Sequence, residues 1–130
     1  MGKVNVRYIV NDVEEAINFY TKLLNFKLEM NPAPTFAILS LGDLQLLLSS
    51  QSEEGGGGKT MQDGRKPEPG GWNRFHLAVD DLTTMVKELK EQGAHFRNEI
   101  IEGVAGKQIL LEDPSGNPIE LFEYYKKEWK

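Results

Sequence analysis

The sequence contains no cysteine, which excludes a disulfide framework, a thiol nucleophile and thiolate metal sites, and fits a reducing compartment. Only two histidines, His76 and His95, are present, so imidazole ligands for a metal are scarce. No apolar run approaches the roughly 20 residues that a membrane span requires, and the opening MGKVNVRYIV has no signal-like apolar centre. Positive charge is in deficit as well, with 15 Lys and Arg against 20 Asp and Glu and a formal net charge of −5. The basic residues gather only in the tail, as Lys126, Lys127 and Lys130. Neither nucleic acid nor a membrane is expected as a partner, and a cytoplasmic location is the expectation.

What remains is ordinary globular material. At 130 residues, 39% hydrophobic and 27% charged, the chain is expected to form a single domain spanning 1–130, large enough to bury a core. The segment Val4 to Val10 is β-rich. After it, Val13, Ala16, Ile17, Tyr20, Leu23 and Leu24 recur at helical spacing, behind Asp12 as N-cap and Glu15 three residues on. Strands then follow at Phe26 to Met30, TFAILSLG and LQLLLSS, with a turn at Gly42-Asp43. This is a βαβββ order.

The second half repeats it. NRFHLAVDD reads as strand and cap, LTTMVKELKEQG as an amphipathic helix stopped at Gly93, and HFRNEII, GKQILLED and PIELFEYY as strands. Val10-Asn11-Asp12 matches Val79-Asp80-Asp81, an offset of 69 from position 10 to position 79. Two copies of one unit are expected, at about 4–49 and 73–125. Between them lies a loop at about 50–72, rich in Gly, Ser and Pro. Its GGGGKT run is not a phosphate-binding P-loop: the required first glycine is replaced by Glu53, and the run leads into Pro-rich loop instead of a helix.

The stretch LEDPSGNPIELFE, Leu111 to Glu123, carries the chemistry. Asp-Pro-Ser-Gly-Asn reads as a tight turn, and in the strand after it alternation sets Glu120 and Phe122 opposite Ile119 and Leu121. A carboxylate on such a strand needs a partner if it is buried. His76 lies two residues after Arg74 and so shares its strand face, while Phe75 points the other way. Leu39, Leu47 and Leu110 read as core, and Glu14, Glu15, Lys87, Glu88, Lys90 and Glu91 as solvated helix faces.

The paired βαβββ unit, the pattern Val10, Asp12, Ala16, Phe19, Tyr20 and the closing Asp113 to Leu121 resemble the glyoxalase/bleomycin-resistance/dioxygenase family, also called the vicinal oxygen chelate superfamily. The resemblance covers nearly the whole chain outside the central loop. It implies an α+β fold in which two tandem units form a curved mixed-sheet half-barrel cavity, and a homodimer. In that family, metal-containing members place ligands on the first and last strand of each unit. Carried onto this sequence, those places are Asn5, Gln45, Arg74 and Glu120.

A guanidinium at a ligand place repels a cation and cannot be deprotonated at ordinary pH. No cofactor is therefore expected, with Arg74 pairing to Glu120 where relatives keep an ion. A shift of register would instead make His76 a ligand together with Gln45 and Glu120, and a divalent metal possible. The first expectation is a metal-free protein that binds a small molecule with polar or anionic groups, whether drug or metabolite, through Asn5, Arg7, Gln45, Trp72, Arg74, His76, Glu120 and Phe122. The alternatives are a metal-dependent enzyme, resembling a lactoylglutathione lyase or a dioxygenase, and a metal-free enzyme with Glu120 or His76 as general base. A third reading makes Arg74 and Glu120 a structural ion pair only.

Overall fold

A computed structural model describes residues 4–130. It divides into two compact units, the first comprising the chain up to Gly71 with Pro114–Asn117, the second Trp72–Asp113 with Pro118–Lys130. Each holds one helix and one mixed sheet, so the fold is α+β.

In the first unit, β1 (Asn5–Val10) leads to α1 (Val13–Leu23), then β2 (Lys27–Ala33), β3 (Phe36–Leu41) and β4 (Leu44–Ser50). The helix starts where expected because Asp12 is extended, at φ −144°, and its carboxylate accepts the Glu15 N–H at 3.0 Å. The sheet order is β1-β4-β3-β2, with β1 parallel to β4 and the other pairs antiparallel. One sheet face is apolar. Tyr8, Val10, Ala37, Leu39, Leu46 and Leu48 are buried, as are Val13, Ala16 and Tyr20 of α1, and α1 contacts β2, β3 and β4. Tyr20 meets Phe19 and Phe26 edge to face at 5.0 and 5.4 Å.

In the second unit, β5 (His76–Ala78) precedes α2 (Leu82–Glu91), and β6 (His95–Phe96), β7 (Ile101–Glu102), β8 (Gly106–Glu112) and β9 (Pro118–Tyr124) follow, with a 3-10 turn at Lys127–Trp129. Asp81 caps α2 by accepting from Thr84 N at 3.1 Å. The sheet order is β5-β9-β8-β6, with β7 also pairing β8. Leu82, Val86 and Leu89 of the helix and Ile109, Leu111, Ile119 and Leu121 of the sheet make its core.

Three local expectations need correction. HFRNEII is not one strand: it splits into the two-residue β6 and β7, because Asn98 turns its side chain to accept the Leu110 N–H and so replaces a ladder bond. NRFHLAVDD yields only three strand residues, β5 beginning at His76. Leu47, read as core, is half-buried. The turn DPSGN does more than reverse the chain: Asn117 is buried, accepts the Gly70 N–H and donates to the Ile9 carbonyl, both at 2.7 Å.

Candidate functional site

β9 pairs with β5 in parallel, His76 level with Glu120 and Ala78 level with Phe122. Paired residues point to the same side of a sheet and alternation carries that side along each strand, so His76, Glu120, Phe122 and Tyr124 share one face while Ile119 and Leu121 fill the core on the other. Arg74, just before β5, folds back onto this face. Its Nε and Nη2 donate to Glu120 Oε1 at 2.9 and 2.7 Å, and its Nη1 donates to the Trp72 carbonyl at 3.2 Å. The Glu120 side chain is 12% exposed and that of Arg74 28%.

The ion pair is therefore largely desolvated on the acid and open to water on the base. Of the five N–H donors of a guanidinium, three are engaged by these bonds and two remain for a further acceptor. Glu120 Oε2 stands 3.8 Å from His76 Nε2, beyond hydrogen-bond length. The His76 ring leans on Phe122 at 5.0 Å and lies 5.9 Å from Tyr124, and Phe122 and Tyr124 are 4.6 Å apart. Trp72 is 70% exposed, and the Arg97 guanidinium sits 4.8 Å over its ring while donating to Glu120's neighbour across the face, Glu112, at 2.8 Å. Charged and aromatic side chains thus gather in this unit.

In the first unit, Asn5 stands level with Gln45 and Arg7 with Leu47 on the strand pair β1/β4. Arg7 is exposed, and among the described residues no carboxylate lies within ion-pairing distance of it. Sequence reasoning passed over Tyr124, Arg97 and Glu112. Alternation along β9 from Glu120 places Tyr124 on the same face and was a usable signal; Arg97 and Glu112 meet only through the β6/β8 pairing, in which Glu112 is level with His95.

The residues do not fit a divalent metal. Glu120 carries a guanidinium on one oxygen, His76 is the one imidazole near it, and among the described residues no three His, Asp or Glu side chains converge as a metal needs. No helix among the described residues is long and apolar enough to cross a membrane.

A family model for the Glyoxalase/Bleomycin resistance protein/Dioxygenase superfamily matches residues 4–121. No curated protein matches at a significant level. Among solved structures, a superfamily member from Sphaerobacter thermophilus is 25% identical, with a TM-score of 0.74 over 95% of this chain and 97% of that one. A lactoylglutathione lyase from Agrobacterium tumefaciens is 16% identical, with a TM-score of 0.71 over 94% and 92%. TnmS3, an antibiotic binding protein from Streptomyces sp., is 22% identical, with a TM-score of 0.70 over 95% and 96%. The last two likenesses are of fold. With the family model covering almost all of both βαβββ units, the chain belongs to the Glyoxalase/Bleomycin resistance protein/Dioxygenase superfamily.

Proposed function

We propose that this protein binds a small molecule without a metal, and that the ligand combines an anionic group with a planar or aromatic body. The observation that carries this reading is the state of Arg74: Glu120 fixes its orientation with two hydrogen bonds to one oxygen, yet two donors are left over on the sheet face that also carries His76, Phe122 and Tyr124. A guanidinium held in place in this way loses little freedom when it receives a carboxylate or phosphate. Trp72, whose carbonyl accepts from Arg74, offers an exposed ring, and Asn5, Arg7 and Gln45 are the polar set of the first unit. TnmS3 is named an antibiotic binding protein, and sequestration of a drug or metabolite is one form such binding would take in this chain.

The test is a thermal-shift screen of aromatic carboxylates and phosphates, run beside elemental mass spectrometry after incubation with zinc, nickel, manganese and iron(II). Ligands that raise the melting temperature of the parent protein and not of Arg74→Ala are the expected result. Near-stoichiometric metal retained by the parent and lost in Glu120→Gln would overturn the metal-free reading and restore His76 as a ligand.

A second reading rests on the other carboxylate oxygen. Glu120 Oε2 lies 3.8 Å from His76 Nε2, and on this reading one of the two takes a proton from a ligand held by Arg74. On that reading Glu120→Gln abolishes turnover of a bound carbonyl compound and leaves its affinity intact, whereas equal loss of both points to binding alone.

A further inference from the structure

A second polar feature lies in the first unit and shares with the Arg74 reading only Arg7. A cleft of about 590 Å³ is lined by Arg7, Phe36, Ser49, Glu54 and the glycine run Gly55–Gly58, among others. Ser49 is 3% exposed, and its hydroxyl has no hydrogen-bond partner in the protein. Buried hydroxyls are ordinarily satisfied, since an unpaired one costs about 1–3 kcal/mol. It stands level with Ile9 on β1 and Phe36 on β3, and alternation puts it on the face that carries Arg7.

The loop is built to approach both groups. A Cβ on Gly57 would stand 2.6 Å from Ser49 Oγ and 3.0 Å from Arg7 Cζ, and one on Gly58 would stand 2.0 Å from the Ser50 carbonyl oxygen. At Gly58 only glycine fits against the backbone, and at Gly57 a Cβ would displace the Ser49 hydroxyl or the end of the Arg7 side chain. The run is also tied in place: Ser52 N donates to the Gly58 carbonyl at 3.0 Å, and Glu53 accepts from Thr60 Oγ1 at 2.6 Å and from Thr60 N at 3.3 Å. A tied loop without side chains thus lies close against a guanidinium with no acidic partner among the described residues and a buried hydroxyl with no hydrogen-bond partner.

We propose that this cleft, between Arg7, Ser49 and Gly55–Gly58, is an anion-binding site that takes a single carboxylate or phosphate group. Arg7 supplies the charge and Ser49 a donor that the free protein leaves unused. Glu54, also in the lining, opposes a dense polyanion such as a triphosphate and so favours one isolated group. The site stands on the first unit's own residues and does not depend on the Arg74 reading.

The experiment is an NMR titration of the full chain, uniformly labelled with nitrogen-15, with sodium phosphate in one series and sodium benzoate in the other at constant ionic strength. Saturable shifts at the amides of Ser49 and Gly56–Gly58 with either anion uphold the site, and the anion that binds tells whether a phosphoryl or a carboxylate group is taken. Arg7→Met is expected to weaken that binding about tenfold, in line with loss of a charge-assisted hydrogen bond. Ser49→Ala is expected to weaken it about threefold while melting no lower than the parent, because the hydroxyl makes no bond to lose. Arg74→Ala should leave these shifts unchanged. Absence of saturable shifts at Ser49 and Gly57 with both anions, or binding equal to the parent in both Arg7→Met and Ser49→Ala, overturns the proposal.

Discussion

The two units carry the same motif and set it in different registers. In the first, β1 pairs with β4 over six positions, and Asn5 stands level with Gln45. In the second, β5 pairs with β9 over three positions, and His76 stands level with Glu120, although the motif offset makes Arg74 the counterpart of Asn5. The repeat is thus kept at the helix end, where Asp12 and Asp81 cap in the same way, and slips by two residues across the strand pair. Because side chains alternate with a period of two, a slip of two keeps each residue on its face and changes only its neighbours. Arg74 therefore still faces Glu120, but from beyond the end of the strand, where its long side chain has the freedom to turn back onto the carboxylate. Asn5 has no comparable reach.

The largest difference to test lies in the two turns before the closing strands. The first is the pair Gly42-Asp43; the second contains Asn117, buried at 4% exposure with a hydrogen bond from each end of its amide. Replacing Asn117 with Ala strands the part-buried carbonyl of Ile9 and the N–H of Gly70, and should lower stability by about 2–3 kcal/mol in urea denaturation, two lost bonds with part of their desolvation. Asp43→Ala should change it by less than about 0.5 kcal/mol. Equal effects would mean that the second turn only reverses the chain.

Next comes the motif pair itself. Arg74→Ala leaves the Glu120 carboxylate buried without its cation. The expected loss is about 2 kcal/mol, below the full figure for a buried pair because the Arg74 side chain is 28% exposed. Asn5→Ala, at the equivalent place, should stay within about 0.5 kcal/mol. The double variant Arg74→Ala with Glu120→Gln should recover part of the loss, and a failure to recover would show that Arg74 acts through packing instead of charge. Smaller still is the cap: Asp12→Ala removes the acceptor of Glu15 N and should cost about 1 kcal/mol, measured as a shift of the same unfolding midpoint.

The sequence made the helices, the caps and the long strands legible because each rests on local chemistry: 3.6-residue periodicity in α1 and α2, an extended Asp before each, a continuous apolar run in β8 and alternation in β9. What it hid depends on residues far apart in the chain. Asn98 breaks the sixth strand by bonding across to Leu110, and nothing within HFRNEII marks that. Arg74 and Glu120 stand out by motif, whereas the Arg97–Glu112 pair under Trp72 arises from a strand pairing that periodicity does not encode. Ser49 looks like any strand serine until the glycine run is seen against it.

The finest contrast sets a loop of the first unit against a cap of the second. Glu53 and Asp81 are both held below their ordinary carboxylate pKa values by a threonine, Thr60 and Thr84 respectively. For Glu53 the hydroxyl of Thr60 is the leading cause, as its 2.6 Å bond against 3.3 Å for the backbone N–H suggests; for Asp81 the backbone N–H of Thr84 leads and the hydroxyl is second. Each carboxyl is depressed in the folded chain, so its contribution is present above the unfolded pKa and is lost as pH falls through the folded one. The loop tie at Glu53 should hold through neutral pH and release only below about pH 4.3, the ordinary Glu value. Carboxyl carbon-13 titrations of the folded protein read this directly. Thr60→Val should raise the Glu53 midpoint more than Thr84→Val raises that of Asp81, because the first removes the dominant bond and the second leaves it in place. The reverse order would mean that the loop is held by the backbone of Thr60, and that the glycine run is positioned by chain geometry and not by the threonine hydroxyl.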